Sequence, residues 1–80
     1  NSHVYFDNVQ NVTLTGNTFK WGVNDDGNGT RSPDYDVYLA NSTAVVIQSN
    51  VMFEGAVKKS IVYDGRGENI VKDNLTHHKA

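Results

Sequence analysis

Apolar and polar residues alternate along this chain in short runs that never lengthen into a helical period. Val12 and Leu14 are apolar, Thr13 and Thr15 are polar and β-branched, and Thr18-Phe19 follow a Gly16-Asn17 pair. A period of two predicts a strand here, a tight turn at Gly16-Asn17 and a second strand starting at Thr18. The same order returns at 44–52, with Val45, Ile47 and Met52 apolar, and in a worn form at 69–76. Another alternating run precedes each copy: Val4-Tyr5-Phe6, Val37-Tyr38-Leu39 and Ile61-Val62-Tyr63. The nearest helical candidate, 51–60, is interrupted by Gly55 and β-branched neighbours.

These runs are three copies of one repeat. Val4 to Asn17, Val37 to Asn50 and Ile61 to Asn74 each span 13 residues, and the starts lie 33 and then 24 residues apart. In the third copy Ile70 is displaced by one position, which places a slip at 65–67. Short strands joined by Asn- and Gly-rich turns, repeated every two dozen residues, predict a solenoid whose turns pair in parallel. The expected inward ladders are Val4/Val37/Ile61, Phe6/Leu39/Tyr63, Val12/Val45, Leu14/Ile47/Val71 and Phe19/Met52. Asn17, Asn50 and Asn74 should stack at one corner, where Asn tolerates left-handed backbone and its amide can bond its neighbour. The single domain 1–80 then divides into coils at about 3–34, 35–58 and 59–76. The polar, Gly-rich stretch within 21–35 is a loop inserted into the first coil, and 77–80 is a frayed tail or a cap.

Composition narrows the class. With 80 residues the core is small, and with no cysteine there is neither a disulfide nor a thiolate metal site. A formal charge of −2 argues against a nucleic-acid partner, and no apolar run reaches membrane-spanning length. Because the chain opens on Asn rather than Met, the expectation is a piece or processed product of something longer.

Asn-Val-Thr-Leu-Thr-Gly-Asn-Thr-Phe at 11–19 resembles the coil repeat of right-handed parallel β-helix proteins of the pectate-lyase-like superfamily, which includes pectate lyases, polygalacturonases, alginate epimerases and phage tailspike depolymerases. The resemblance covers roughly residues 4–76. It implies an all-β, right-handed parallel β-helix of about three coils that grips or degrades an acidic or complex polysaccharide, outside the cell or on a virion surface. The Gly-His-Gly element of polygalacturonases is absent, and no arginine motif of pectate lyases is found. A lyase or glycoside hydrolase built on this chain would therefore draw part of its machinery from elsewhere.

Candidate chemistry sits mostly in and beside the inserted loop. Asp25, Asp26, Asp34 and Asp36 are candidates for the acid and base of glycoside cleavage, which needs two carboxyls about 5–9 Å apart; against this, Asp and Asn also simply make turns. Asn24, Asp26 and Asn28, followed by Gly29, match the first, third, fifth and sixth positions of a calcium loop, but the twelfth is Tyr35 where a bidentate Glu is wanted. Ca²⁺ is accordingly a possible ligand, and no other cofactor is implied. Tyr5 and Tyr38 alternate with inward residues, so they should point outward and stack about 4.8 Å apart, one coil above the other. With Trp21 and Tyr35 they form a candidate sugar platform, since tyrosine and tryptophan join an apolar face to a polar tip; exposed tyrosines also belong on any sheet. His77 and His78 should face opposite ways and could gather with His3 at one corner, although a solvated tail is the plainer reading. Asn11, Asn28, Asn41 and Asn74 match the glycosylation pattern, but the repeat itself generates Asn before Thr at its turns.

Three readings follow. One is a β-helix module that recognises or degrades a polysaccharide. Another is a structural or oligomerisation segment, a homotrimer or the remainder of a longer β-helix chain, with no activity of its own. A calcium-stabilised repeat without a sugar function is a third. Antiparallel pairing between the 12–14 and 45–47 runs would exclude the solenoid.

Overall fold

The computed structural model describes residues 1–22, 25, 27, 32–64 and 67–79. Among them are eight strands and no helix: β1 (Ser2–Asp7), β2 (Gln10–Thr15), β3 (Tyr35–Ala40), β4 (Thr43–Gln48), β5 (Val51–Phe53), β6 (Lys59–Tyr63), β7 (Ile70–Lys72) and β8 (Leu75–His77). They form three sheets, ordered β1-β3-β6, β2-β4-β7 and β5-β8, and every pairing is parallel.

The registers reproduce the repeat read from the chain. Val4 pairs with Val37 and Val37 with Ile61, Phe6 with Leu39 and Leu39 with Tyr63. Val12 pairs with Val45, Leu14 with Ile47, and Ile47 with Val71. Ile70 falls opposite Val46 rather than Val45, yet the second and third copies keep one offset on both sides of 65–67, with Val37 opposite Ile61 and Ile47 opposite Val71, so the slip expected there does not appear in the register. The run after Gly16-Asn17 is shorter than expected: Thr18 makes a single parallel bridge to Val51 instead of entering a strand.

The core is the middle repeat. Val37, Leu39, Val45, Ile47 and Met52 are buried, and Val4, Phe6, Val12, Leu14, Phe19, Ile61 and Val71 pack against them while half-exposed. A residue of the middle copy has a neighbour on both sides of its ladder; a residue of the first or third has one. The same reasoning explains Tyr63, which keeps its place opposite Leu39 yet stays 46% exposed.

The turns repeat as well as the strands. Left-handed backbone recurs at Asn8 and Asn41, at Asn11 and Ala44, and at Gly16, Ser49 and Asp73. The last three each precede a ladder asparagine by one residue. Asn50 is buried and accepts from the backbone N–H and Nδ2 of Asn17 at 2.9 and 3.1 Å. Its own N–H and Nδ2 donate to Asn74 Oδ1 at 3.0 and 2.9 Å, and Nδ2 also donates to the Leu14 carbonyl. Tight turns leave backbone groups with no strand partner, and the asparagines satisfy them from the next repeat along the stack.

The C-terminus corrects one expectation. His77, expected in a frayed tail or a cap, is not frayed: it ends β8, lies opposite Phe53 and stacks on its ring at 4.7 Å. The Glu54 N–H donates to the His77 carbonyl at 2.8 Å, so this stretch is tied down by backbone pairing.

Candidate functional site

Three of the four proposed platform aromatics come together. Tyr5 and Tyr38 are register partners in β1 and β3 and sit on the face of that sheet opposite Val4, Phe6, Val37 and Leu39. Their rings lie 5.3 Å apart at an interplanar angle of 18°. Tyr35, the first residue of β3, leans on Tyr38 at 5.7 Å and 59°. Tyr5 is 62% exposed, so the stack is open to solvent. Trp21 makes no ring contact with these tyrosines among the described residues. Lys20 Nζ sits 4.8 Å from its ring centroid, and Trp21 lines a cleft of about 190 Å³ with Glu54, His77 and Lys79.

The acidic candidates disperse into separate roles. Asp25 Oδ1 accepts from the Gly27 N–H at 2.8 Å and from the Ser32 hydroxyl, the contacts of a turn-forming carboxylate. Asp34 pairs with the α-amino group at 3.5 Å and with Lys58 at 3.8 Å. Asp26, with Asn24 and Asn28 of the proposed calcium set, lies outside the described residues. Among the described residues no group of three His, Cys, Asp or Glu is placed to hold a metal ion.

Asp36 behaves differently. It has no solvent exposure, and neither carboxylate oxygen has a hydrogen bond of good geometry. Ser2 and Val4 pair with Tyr35 and Val37, which in turn pair with Lys59 and Ile61. His3, Asp36 and Ser60 therefore occupy one rung across the sheet. His3 Nε2 lies 3.8 Å from Asp36 Oδ1 and donates to the Gly55 carbonyl at 2.8 Å. The Ser60 hydroxyl, which faces the Asp36 carboxyl, and the His78 Nδ1 are also buried and lack a well-formed hydrogen bond.

Burial raises the Asp36 carboxyl from 3.8 to about 6; the Ser60 hydroxyl, then His3 and His78, pull it partway back. A carboxyl that titrates near 6 has the proton affinity of a general acid. Sealed from solvent, however, it cannot meet a polymer in this conformation, and its role in the folded chain is internal.

Gly55 makes the seal possible. A Cβ there would overlap Asp36 Oδ1 and stand 2.8 Å from the Phe19 carbonyl oxygen, so only glycine lets the 54–58 connector approach this closely. The repeat alignment, read one position before Val4/Val37/Ile61, already superposes His3, Asp36 and Ser60. Of the histidines considered for one corner, His3 and His78 both face Asp36, whereas His77 stacks on Phe53; nothing in the spacing points to Gly55 as a member of the same cluster.

No protein-family model, curated protein or solved structure gives a significant match to this chain.

Proposed function

We propose that the three parallel sheets are the walls of successive coils of a right-handed parallel β-helix, and that the chain is a module of a polysaccharide-recognising or -degrading protein acting outside the cell or on a virion surface. The exposed Tyr5–Tyr38–Tyr35 stack carries this reading. In the Tyr5–Tyr38 stack each ring covers one face of the other, so a ligand meets the outer face of Tyr5 at the open end, beside the edges and hydroxyls of Tyr38 and Tyr35. That suits the apolar face of a sugar ring, and because the rings are held in place little conformational entropy is lost on binding. Should the parent protein cleave its polymer, the acid and base would come in part from residues beyond those described.

The test is calorimetric titration with a panel of neutral and uronate-containing oligosaccharides, repeated on Tyr5→Ala, Tyr38→Ala and the remote control Tyr63→Ala. Binding that weakens about tenfold or more in the first two, from loss of a stacked ring worth about 1.5 kcal/mol, and not in the control supports the platform. Equal affinity in all three variants, or no binding across the panel, removes it.

One observation favours the structural reading instead. Val51, Phe53 and Leu75 are 41%, 47% and 59% exposed on the sheet formed by β5 and β8. Such a face fits burial against other chains, including a homotrimer. Sedimentation equilibrium separates the two: a trimer broken by Phe53→Ser places the function in assembly, whereas a monomer that binds oligosaccharide places it on the tyrosines.

A further inference from the structure

The cluster around Asp36 joins four stretches that are distant in the chain. β1 brings His3, β6 brings Ser60, the 54–58 connector brings Gly55, and the segment after β8 brings His78. The titratable groups that face the carboxyl are His3 and His78. The connector's own acid, Glu54, is turned away to Lys20 at 3.2 Å, and Lys58 is turned to Asp34. The segment after β8 is held to the connector by backbone bonds on either side of His78: Glu54 N–H to the His77 carbonyl at 2.8 Å, and Lys79 N–H to the Ala56 carbonyl at 3.3 Å.

We propose that His3, Asp36, Ser60 and His78 form a pH-operated clasp, which holds the C-terminal segment against the 54–58 connector while Asp36 is protonated and loosens it as Asp36 ionises. The geometry leaves the carboxylate form poorly served. Both oxygens are closed off from water and lack a well-formed hydrogen bond, and His3 Nε2 is already committed to the Gly55 carbonyl. A buried charge in that position is relieved by admitting water. The coverings nearest to hand are the connector, which packs on Asp36 through Gly55, and the short segment that carries His78. Burial favours the protonated carboxyl, so the closed state binds its proton more tightly than the open one, and opening grows as pH rises between about 4 and 6. Were the open state to expose Asp36 fully, the opening equilibrium would increase about fiftyfold between pH 4 and pH 7.5.

Amide hydrogen exchange of the 80-residue chain reads this directly, after correction for the intrinsic pH dependence of exchange. Protection at Glu54 and Lys79 should fall about fiftyfold from pH 4 to pH 7.5, while Val37 and Ile47 in the core stay well above them at both pH values, because core amides exchange only when the whole chain unfolds. Asp36→Asn should stay protected at both pH values. Ser60→Ala, which removes the hydroxyl that holds the carboxyl down, should move the midpoint of loosening to higher pH. Protection at Glu54 and Lys79 that is flat across the range overturns the clasp. So does an Asp36→Asn chain that loosens as the parent does, and, should that variant not fold, so does a Ser60→Ala midpoint that stays in place or moves down.

Discussion

Replacing Asn50 by Ala should cost more than any other single amide deletion in the ladder, because Asn50 alone is bonded on both sides. Its side chain makes four hydrogen bonds: two accepted from Asn17, one donated to the Leu14 carbonyl and one to Asn74 Oδ1. In the variant, Asn17 Nδ2 keeps the Thr15 carbonyl and Asn74 Oδ1 keeps the Asn50 N–H. The Asn17 N–H and the Leu14 carbonyl lose the partner Asn50 gave them. Two partly buried groups left unsatisfied at about 1–2 kcal/mol each give a loss of about 3 kcal/mol. Asn17→Ala should cost about 1 kcal/mol, since Asn50 Oδ1 retains the Asn17 N–H as a donor. Asn50→Asp is the sharper perturbation. One carboxylate oxygen still accepts from Asn17, but the other faces two acceptors, Leu14 O and Asn74 Oδ1, so it should destabilise at least as much as Ala although it is isosteric. Urea unfolding followed by far-UV circular dichroism, with a common slope, ranks the three. Equal midpoints for Asn50→Ala and Asn17→Ala, or an Asn50→Asp chain as stable as the parent, would refute the argument that the ladder acts through satisfied amides.

Asp36 gives a second prediction, whose sign runs against the usual carboxylate. A pKa raised from 3.8 to about 6 means that the folded chain holds this proton more tightly, so stability from this group is complete below pH 4 and falls as pH rises to 6; the full difference is about 3 kcal/mol. The unfolding free energy of Asp36→Asn minus that of the parent, measured at pH 3.5 and pH 7.5, should rise by about that amount. Gly55→Ala should be among the most damaging substitutions, because backbone at Phe19 and the Asp36 carboxyl both occupy the space of the new methyl; a thermal midpoint within a degree of the parent would show that the connector yields easily. Ala44→Gly should act in the opposite direction. Ala44 is exposed with φ at 57°, so glycine should relieve about 1 kcal/mol of left-handed strain and raise the urea midpoint.

What could be read from the chain is what repeats. Val4, Val37 and Ile61 share one spacing to Asn17, Asn50 and Asn74, and that arithmetic alone gave the parallel registers and the amide ladder. The outward stacking of Tyr5 and Tyr38 followed from the same period of two, since a residue beside an inward ladder must face outward along with its register partner. The length of the elements was harder to read. One worn copy is too little to show that Leu75–His77 would pair with Val51–Phe53, because Thr76 is a weak apolar signal opposite Met52.

Asp36 shows why a period of two failed where it mattered most. Alternation assigns each strand residue to one of two faces, and beside Val37 it sends Asp36 outward, while its candidacy for surface chemistry comes from its place beside Asp25, Asp26 and Asp34 at the inserted loop. Yet the outer side of a sheet is solvent only if nothing folds across it. Here the connector at Gly55 and the segment with His78 cross over that rung, and both Asp36 and Val37 are buried. That covering depends on Gly55, whose counterpart at the repeat spacing is Gly22, and on a histidine after the last strand, which recurs in neither other copy. Repetition can therefore reveal the framework, and it is silent on the place where the framework closes over Asp36. The same contrast separates the two kinds of site in this molecule. Tyr5 and Tyr38 hold matching places in the first two copies, and the proposed recognition rests on their exposure. The Asp36 cluster is a departure from the repeat, and the proposed clasp rests on its burial.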